Sequence, residues 1–135
     1  MSFDFDTSVI LRTYLLTTPL ATAVNNRIYL FRAPENVALP NVTIFQRGGS
    51  TNPHIPDIPT PSKQIDCWGT GLLEARDIYR KLYDALQGIQ NVPITVGGTD
   101  YVILSAIEDT HGQEMLDTEI PGRFRVLSFW SIKIK

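Results

Sequence analysis

The run from Arg123 to Lys135 limits what this chain can fold into more than any other stretch. Phe124, Val126, Trp130, Ile132 and Ile134 fall on one face of an extended strand. Arg123, Arg125, Leu127, Phe129, Ser131, Lys133 and Lys135 fall on the other. So long a period-two run predicts a strand, and its apolar face requires a sheet with a second layer over it. The other face is mixed. Leu127 and Phe129 make it more apolar than one solvated sheet face of a monomer, and four basic side chains stand towards its ends.

Helices supply the covering layer. Leu72, Ala75, Tyr79, Leu82 and Leu86 recur at threes and fours, with Ile78 beside them, which predicts a helix over Gly71 to Gln87 with one core-facing stripe. Thr70 is placed to cap it, Glu74 and Asp77 lie towards its positive end, Arg80 and Lys81 follow, and Gly88 stops it. A first helix is expected from Thr7 to Thr18, capped by Ser8 or Thr7, with Val9, Ile10, Leu11, Tyr14, Leu15 and Leu16 as apolar positions. Pro19 ends it or opens a short second helix through Val24.

Strands read from Arg27 to Arg32, Asn41 to Gln46 and Lys63 to Trp68, with Gly48-Gly49 stopping the second. Pro93 to Val96 and Thr99 to Ile107 form a hairpin around Gly97-Gly98. The expected architecture is a single α+β layered domain over residues 1–135, a mostly antiparallel sheet packed against helices on one side. Two polar stretches interrupt it. Gly48 to Ser62 has prolines at 53, 56, 59 and 61 and little apolar content beyond Ile55 and Ile58, so it is expected as a surface loop or an arm that orders against a neighbouring subunit. Asp109 to Gly122 is expected as an acidic loop.

The residues exclude more chemistry than they suggest. A net charge of -2 argues against a general nucleic-acid binder. No window approaches the roughly 18 consecutive apolar residues of a membrane span, and the acidic start Met1-Ser2-Phe3-Asp4-Phe5-Asp6 is not a secretion signal. The single cysteine, Cys67, fits a reducing cytoplasm and reads as a small buried hydrophobe. His54 and His111 both sit in polar stretches, and one cysteine gives no zinc-ligand pair. The glycine pairs lack the spacing of a phosphate-binding loop. Glu108, Asp109, Glu114, Asp117 and Glu119 do not match a calcium loop. No catalytic, cofactor-binding or metal-binding set is expected, and no cofactor.

Arg27-Ile28-Tyr29, the Pro34 loop, Leu39-Pro40 and Val42-Thr43-Ile44 open a longer pattern. It continues with Gln64-Ile65-Asp66-Cys67-Trp68 running into Leu73-Glu74-Ala75-Arg76 and ending near Leu86, and it closes with Arg123-Phe124-Arg125-Val126-Leu127-Ser128-Phe129. In this order and spacing, from about Val9 to Ile134, the chain resembles the tail-completion proteins of long-tailed phages and related tailed particles. That group includes tail terminators and tail-to-head joining proteins. The resemblance implies a non-enzymatic virion subunit, assembled in the host cytoplasm as a ring, usually a hexamer. The ring would sit on the last ring of the tail tube, stop its growth and offer a surface to the head connector.

Its implied partners are itself, the tail tube protein and the head–tail connector proteins, with DNA only passing through the channel and with no membrane and no small-molecule substrate. Expected subunit or tube contacts are Pro53, His54, Ile55, Pro56, Ile58 and Pro59, with Leu127 and Phe129. Arg123, Arg125, Lys133 and Lys135 would face the channel or pair with the acidic stretch of a neighbour. A head-side connector or stopper ring is the nearest alternative, and a small cytoplasmic ligand-binding domain with an apolar pocket is the more distant one.

Overall fold

The computed structural model describes residues 6–30, 38–52, 55–116 and 123–135, and for 47–52, 55–59, 111, 115 and 116 it describes the main chain. Helix α1 runs Thr7–Leu15. Its cap is Asp6, which precedes both expected caps, Thr7 and Ser8, and the carboxylate accepts from the Ser8 and Val9 N–H groups at 2.9 and 3.3 Å. The helix ends short of Thr18. The Thr17 and Thr18 hydroxyls donate to the carbonyls of Tyr14 and Leu15, and Pro19 then opens α2, Pro19–Ala23. Asn25 and Asn26 turn the chain with positive φ values of 51° and 61°, which their short polar side chains tolerate, and β1 follows at Ile28–Leu30. The remainder of the expected strand to Arg32 lies outside the described residues.

The other elements are β2 (Asn41–Asn52), β3 (Ile55–Gly69), α3 (Leu72–Leu86), β4 (Gln90–Val96), β5 (Thr99–Leu116) and β6 (Phe124–Ile134). Gly71, not Thr70, is the cap of α3, and Glu74 reaches back to the Thr70 N–H at 3.0 Å. Gly97 and Gly98, with φ of 59° and 81°, make the two-residue turn between β4 and β5 that the strand twist requires.

The strands form one sheet in the order β1-β2-β3-β6-β5-β4, antiparallel except for β1 with β2. This is the expected α+β layering, with helices on one side. Helix α1 packs on β1 and β2 and also on β4, which are opposite ends of that order, so the sheet curls around it. Leu11 and Leu15 of α1, Ile78, Leu82 and Leu86 of α3, and Val42, Ile44, Ile65, Ile103, Trp130, Ile132 and Ile134 of the sheet close one core. Trp130 lies edge-on to Tyr83 with ring centroids 6.1 Å apart.

Two expected loops are strands for part of their length. Residues 48–52 and 55–62 extend the β2–β3 hairpin, with Gly49 opposite Pro61, Ser50 opposite Thr60 and Thr51 opposite Pro59. Main-chain parity explains why the prolines permit this. The Val42 N–H points to β1, where it donates to the Arg27 carbonyl, so Thr43 and Phe45 turn towards β3 and their partners Asp66 and Gln64 turn towards β2. Followed along β3, the alternation turns Ser62 and Thr60 towards β2, and Pro61 and Pro59 away from it. Their missing N–H groups cost the ladder nothing. In the second stretch, 109–116 belongs to β5 and pairs with β6 through irregularities at Glu108–Thr110 and Thr110–Gln113, while 117–122 lies outside the described residues.

Candidate assembly surface

Directly opposed residues of antiparallel strands share a face. The sheet face away from the helices therefore carries Thr43 and Phe45 of β2, Gln64, Asp66 and Trp68 of β3, and Arg125, Leu127, Phe129 and Ser131 of β6. Asp66 is fully buried there. Arg125 Nη1 lies 3.1 Å from Asp66 Oδ2, and Gln64 Nε2 donates to Asp66 Oδ1 at 3.2 Å. Trp68 Nε1 donates to Thr43 Oγ1 at 3.1 Å, and the guanidinium carbons of Arg123 and Arg125 lie 4.9 and 5.2 Å from the centroid of the Trp68 ring.

The four basic residues of β6 thus fall into two groups. Arg123 and Arg125 are half-buried against Trp68, while Lys133 and Lys135 are exposed at the far end of the strand. Arg125 and Lys133 stand roughly 26 Å apart along an extended chain. Leu127 and Phe129 occupy the interval, both half-buried, opposite Asp66 and Gln64. Phe45 extends this apolar stretch through Gln64, which faces both Phe45 and Phe129.

Of the expected contact residues, Ile55, Pro56, Ile58 and Pro59 belong to the distal part of β3, and Pro53 and His54 lie outside the described residues. Pro59 is about 17 Å along β3 from Gln64. The structure therefore does not bring the ribbon residues onto Leu127 and Phe129, and they form two separate surfaces.

Two features of the helix side escaped the sequence reading. Lys63 is completely buried, and its Nζ donates to Thr7 Oγ1, Ser8 Oγ and Gln46 Oε1 at 2.8, 2.6 and 2.7 Å. It ties the first turn of α1 to the base of the β2–β3 ribbon. Burial lowers its pKa to about 8, against a smaller opposing effect of Asp6.

The second is a groove of about 430 Å³ between α3 and the β5–β6 pair, lined by Arg76, Tyr79, Arg80, Tyr83, Gly112, Glu114 and Val126. The Tyr79 hydroxyl donates to Glu108 and accepts from the Gly112 N–H at 3.1 Å. Burial, then the bond to Glu108, pushes the Tyr79 pKa up. Arg76 pairs with Glu114 across the groove mouth. A Cβ at Gly112 would stand 2.7 Å from Val126 Cγ1 and 2.8 Å from Tyr79 Cζ, so the close approach of β5 to α3 needs glycine there.

The pair of half-buried Arg125 and buried Asp66, with Trp68 beside it, joins β3 to β6 on the outer face, and the ribbon projects beyond it. The same fold occurs in a virion. A chain of the virion of a native gene transfer agent particle superposes with a TM-score of 0.65 at 12% identity, over 97% of this chain and 98% of that one. A second solved protein matches with a TM-score of 0.56 at 10% identity, over 97% of both chains. At these identities the likeness is one of fold. No family model and no curated protein matches the sequence.

Proposed function

We propose that this chain is a structural subunit of a tailed particle that forms a ring, a hexamer, at the head-proximal end of the tail tube. There it ends tube growth and carries the surface that joins the head. The observation that carries the reading is the likeness to a chain of a gene transfer agent virion, which extends over nearly the full length of both chains. The tail-completion pattern in the order of the sequence motifs supports the same reading.

The mechanism is stoichiometric. A subunit that ends a polymer matches the exposed tube end on one side and differs from the tube protein on the other, because a repeated heterologous contact otherwise continues into an open filament. Subunit and tube contacts are assigned to the ribbon, including Ile55, Pro56, Ile58 and Pro59, and to the outer-face pair Leu127 and Phe129. Lys133 and Lys135, exposed at the end of β6, are assigned to the channel or to an acidic neighbour, while Arg123 and Arg125 hold the face together around Trp68.

The test is genetic and biochemical. Particles that lack the protein should carry overlong, irregular tails that fail to join heads, and purified protein should restore joining in proportion to the amount added. Tails of normal length without it would favour the head-side connector role. Turnover of a small molecule or peptide, abolished by one polar substitution, would overturn the structural assignment.

A further inference from the structure

We infer that the outer edge of β2 from Gln46 to Thr51 receives an extended segment of a neighbouring copy of this chain as an added strand. The identity of the neighbour rests on the ring reading above; the edge itself rests on main-chain chemistry.

Among the described residues, β1 pairs with β2 only up to Ile44, and β6 pairs with β3 only from Ser62 onward. Beyond those points β2 and β3 continue as a two-stranded ribbon with two edges that no described strand covers. The edges are chemically unlike. On the β3 side two successive outward positions, Pro59 and Pro61, offer carbonyls and no N–H groups. A strand cannot add there without leaving its own acceptors unmatched.

On the β2 side the parity is set by Val42 and Ile44, which face β1, so Gln46 also faces outward. The register then shifts between Gln46 and Gly49, and Ser50 turns inward opposite Thr60. Gly49 and Thr51 therefore face outward, each with both an N–H and a carbonyl. No proline occurs from Gln46 to Asn52. Among the described residues nothing covers this edge, and its main-chain groups form a template for strand pairing.

The far edge of the sheet is blocked in the same way as the β3 side. The Val102 N–H and carbonyl both bond to Lys135 of the β6 side, at 3.0 and 2.9 Å, so its partner across β4, Pro93, faces the free edge. Among the described residues, three prolines thus interrupt the β3 and β4 edges, and the β2 edge has no proline and no partner strand beyond Ile44. An edge that accepts once, on a subunit whose β3 and β4 edges carry prolines, gives a directional contact. It repeats identically around a closed ring and does not propagate sideways into a larger sheet. The contact is made by backbone groups, so the occupant is an extended chain segment and its side chains matter little to the bonding.

The test compares amide hydrogen exchange, residue by residue, in the free full-length chain and in the chain assembled on tail tubes. Exchange at Gly49 and Thr51 should slow by at least ~10-fold on assembly, while Ser50, already bonded within the hairpin, changes little. Thr51→Pro removes one outward N–H and leaves the internal ladder intact, since Ser50 before it is already extended. It should give a folded monomer whose ring formation falls by at least ~10-fold.

Rings that form and terminate tails with Gly49 and Thr51 still exchanging freely, or Thr51→Pro assembling like the parent, overturn the edge and leave the ring reading standing. Protection that appears with tube protein while the chain stays monomeric assigns the edge to the tube and overturns the neighbouring-copy occupant. A parent chain that never self-associates, with or without tubes, sinks both.

Discussion

Lys63 should give this protein an unusual pH dependence of stability. Its ammonium is buried among three neutral oxygens, and its pKa falls from the ordinary 10.5 to about 8. Between those values the unfolded chain holds a proton on this lysine that the folded chain has lost. The difference in bound protons, unfolded minus folded, is therefore positive, and stability rises with pH across the window. At 1.36 kcal/mol for each pKa unit, the group gains about 2 kcal/mol in stability between pH 7 and 9.5.

Cys67 opposes this gain. Burial raises its thiol pKa well above the ordinary value, so the folded chain keeps a proton that the unfolded chain releases near pH 9. Tyr79, also raised, acts the same way at still higher pH. The clean measurement is a difference. Urea unfolding of the parent and of Lys63→Met, followed by the fluorescence of Trp68 and Trp130 at each pH from 7 to 9.5, cancels both contributions. Methionine keeps the length and loses the charge, so the lost hydrogen bonds give a constant offset and the titration gives the slope. The parent should gain about 2 kcal/mol on the variant over this range. A difference that stays flat within about 0.5 kcal/mol would mean that water reaches the Lys63 ammonium and that the tie to α1 is not dry.

Leu82 is fully buried against the sheet, so Leu82→Ala should cost roughly 2–5 kcal/mol by urea unfolding, and a loss below about 1 would place the wrong face of α3 in the core. Arg125→Ala removes the Arg125 guanidinium from the buried Asp66 carboxylate and should cost about 2–4 kcal/mol; adding Asp66→Asn should recover part of that loss, and a double variant no better than the single would show that the pair is not the cause. Gly112→Ala should destabilise by about 1–3 kcal/mol, because the new Cβ meets Val126 and Tyr79. An unchanged thermal midpoint in that variant would mean that β5 can shift away from α3.

Periodicity carried most of the fold. The α3 stripe, the alternation of β6 and the two-glycine turn of the β4–β5 hairpin each announce themselves within one element, and each stands where the residues put it. What the sequence hid depends on register between elements. Pro59 and Pro61 look like strand breakers until Val42 is seen to bond to Arg27, which fixes the side on which every later N–H falls. Asp109 to Glu114 lacks apolar alternation, so only the ladder offered by β6 makes it a strand. Arg125 reads as a free positive charge because its partner Asp66 lies 59 residues upstream, and only the pairing of β3 with β6 brings the two together. Lys63 reads as the polar start of a strand, since nothing local says that α1 will close over it.

In the proposed ring, the prolines and the ion pair would act at different levels of the same problem. A subunit in a ring has to offer one contact strongly and refuse others that its own sheet would otherwise invite. The refusal is local and covalent: Pro59, Pro61 and Pro93 remove donors at outward positions while their strands stay paired inward. The offer needs a ribbon held at a fixed angle to the body, because a strand adds only where donors and acceptors meet in register. Lys63 supplies that at the ribbon base, where it joins Gln46 of β2 to Thr7 and Ser8 of α1. Asp66 and Arg125 supply it one step further in, by locking β3 to β6. On this reading, loosening Lys63 weakens ring assembly more than it weakens the fold, since the hairpin ladder survives while its angle to the sheet is no longer held. Lys63→Met should then assemble poorly on tail tubes under conditions where at least about nine-tenths of it is folded. Assembly in strict proportion to the folded fraction would separate the ribbon's angle from the ring contact.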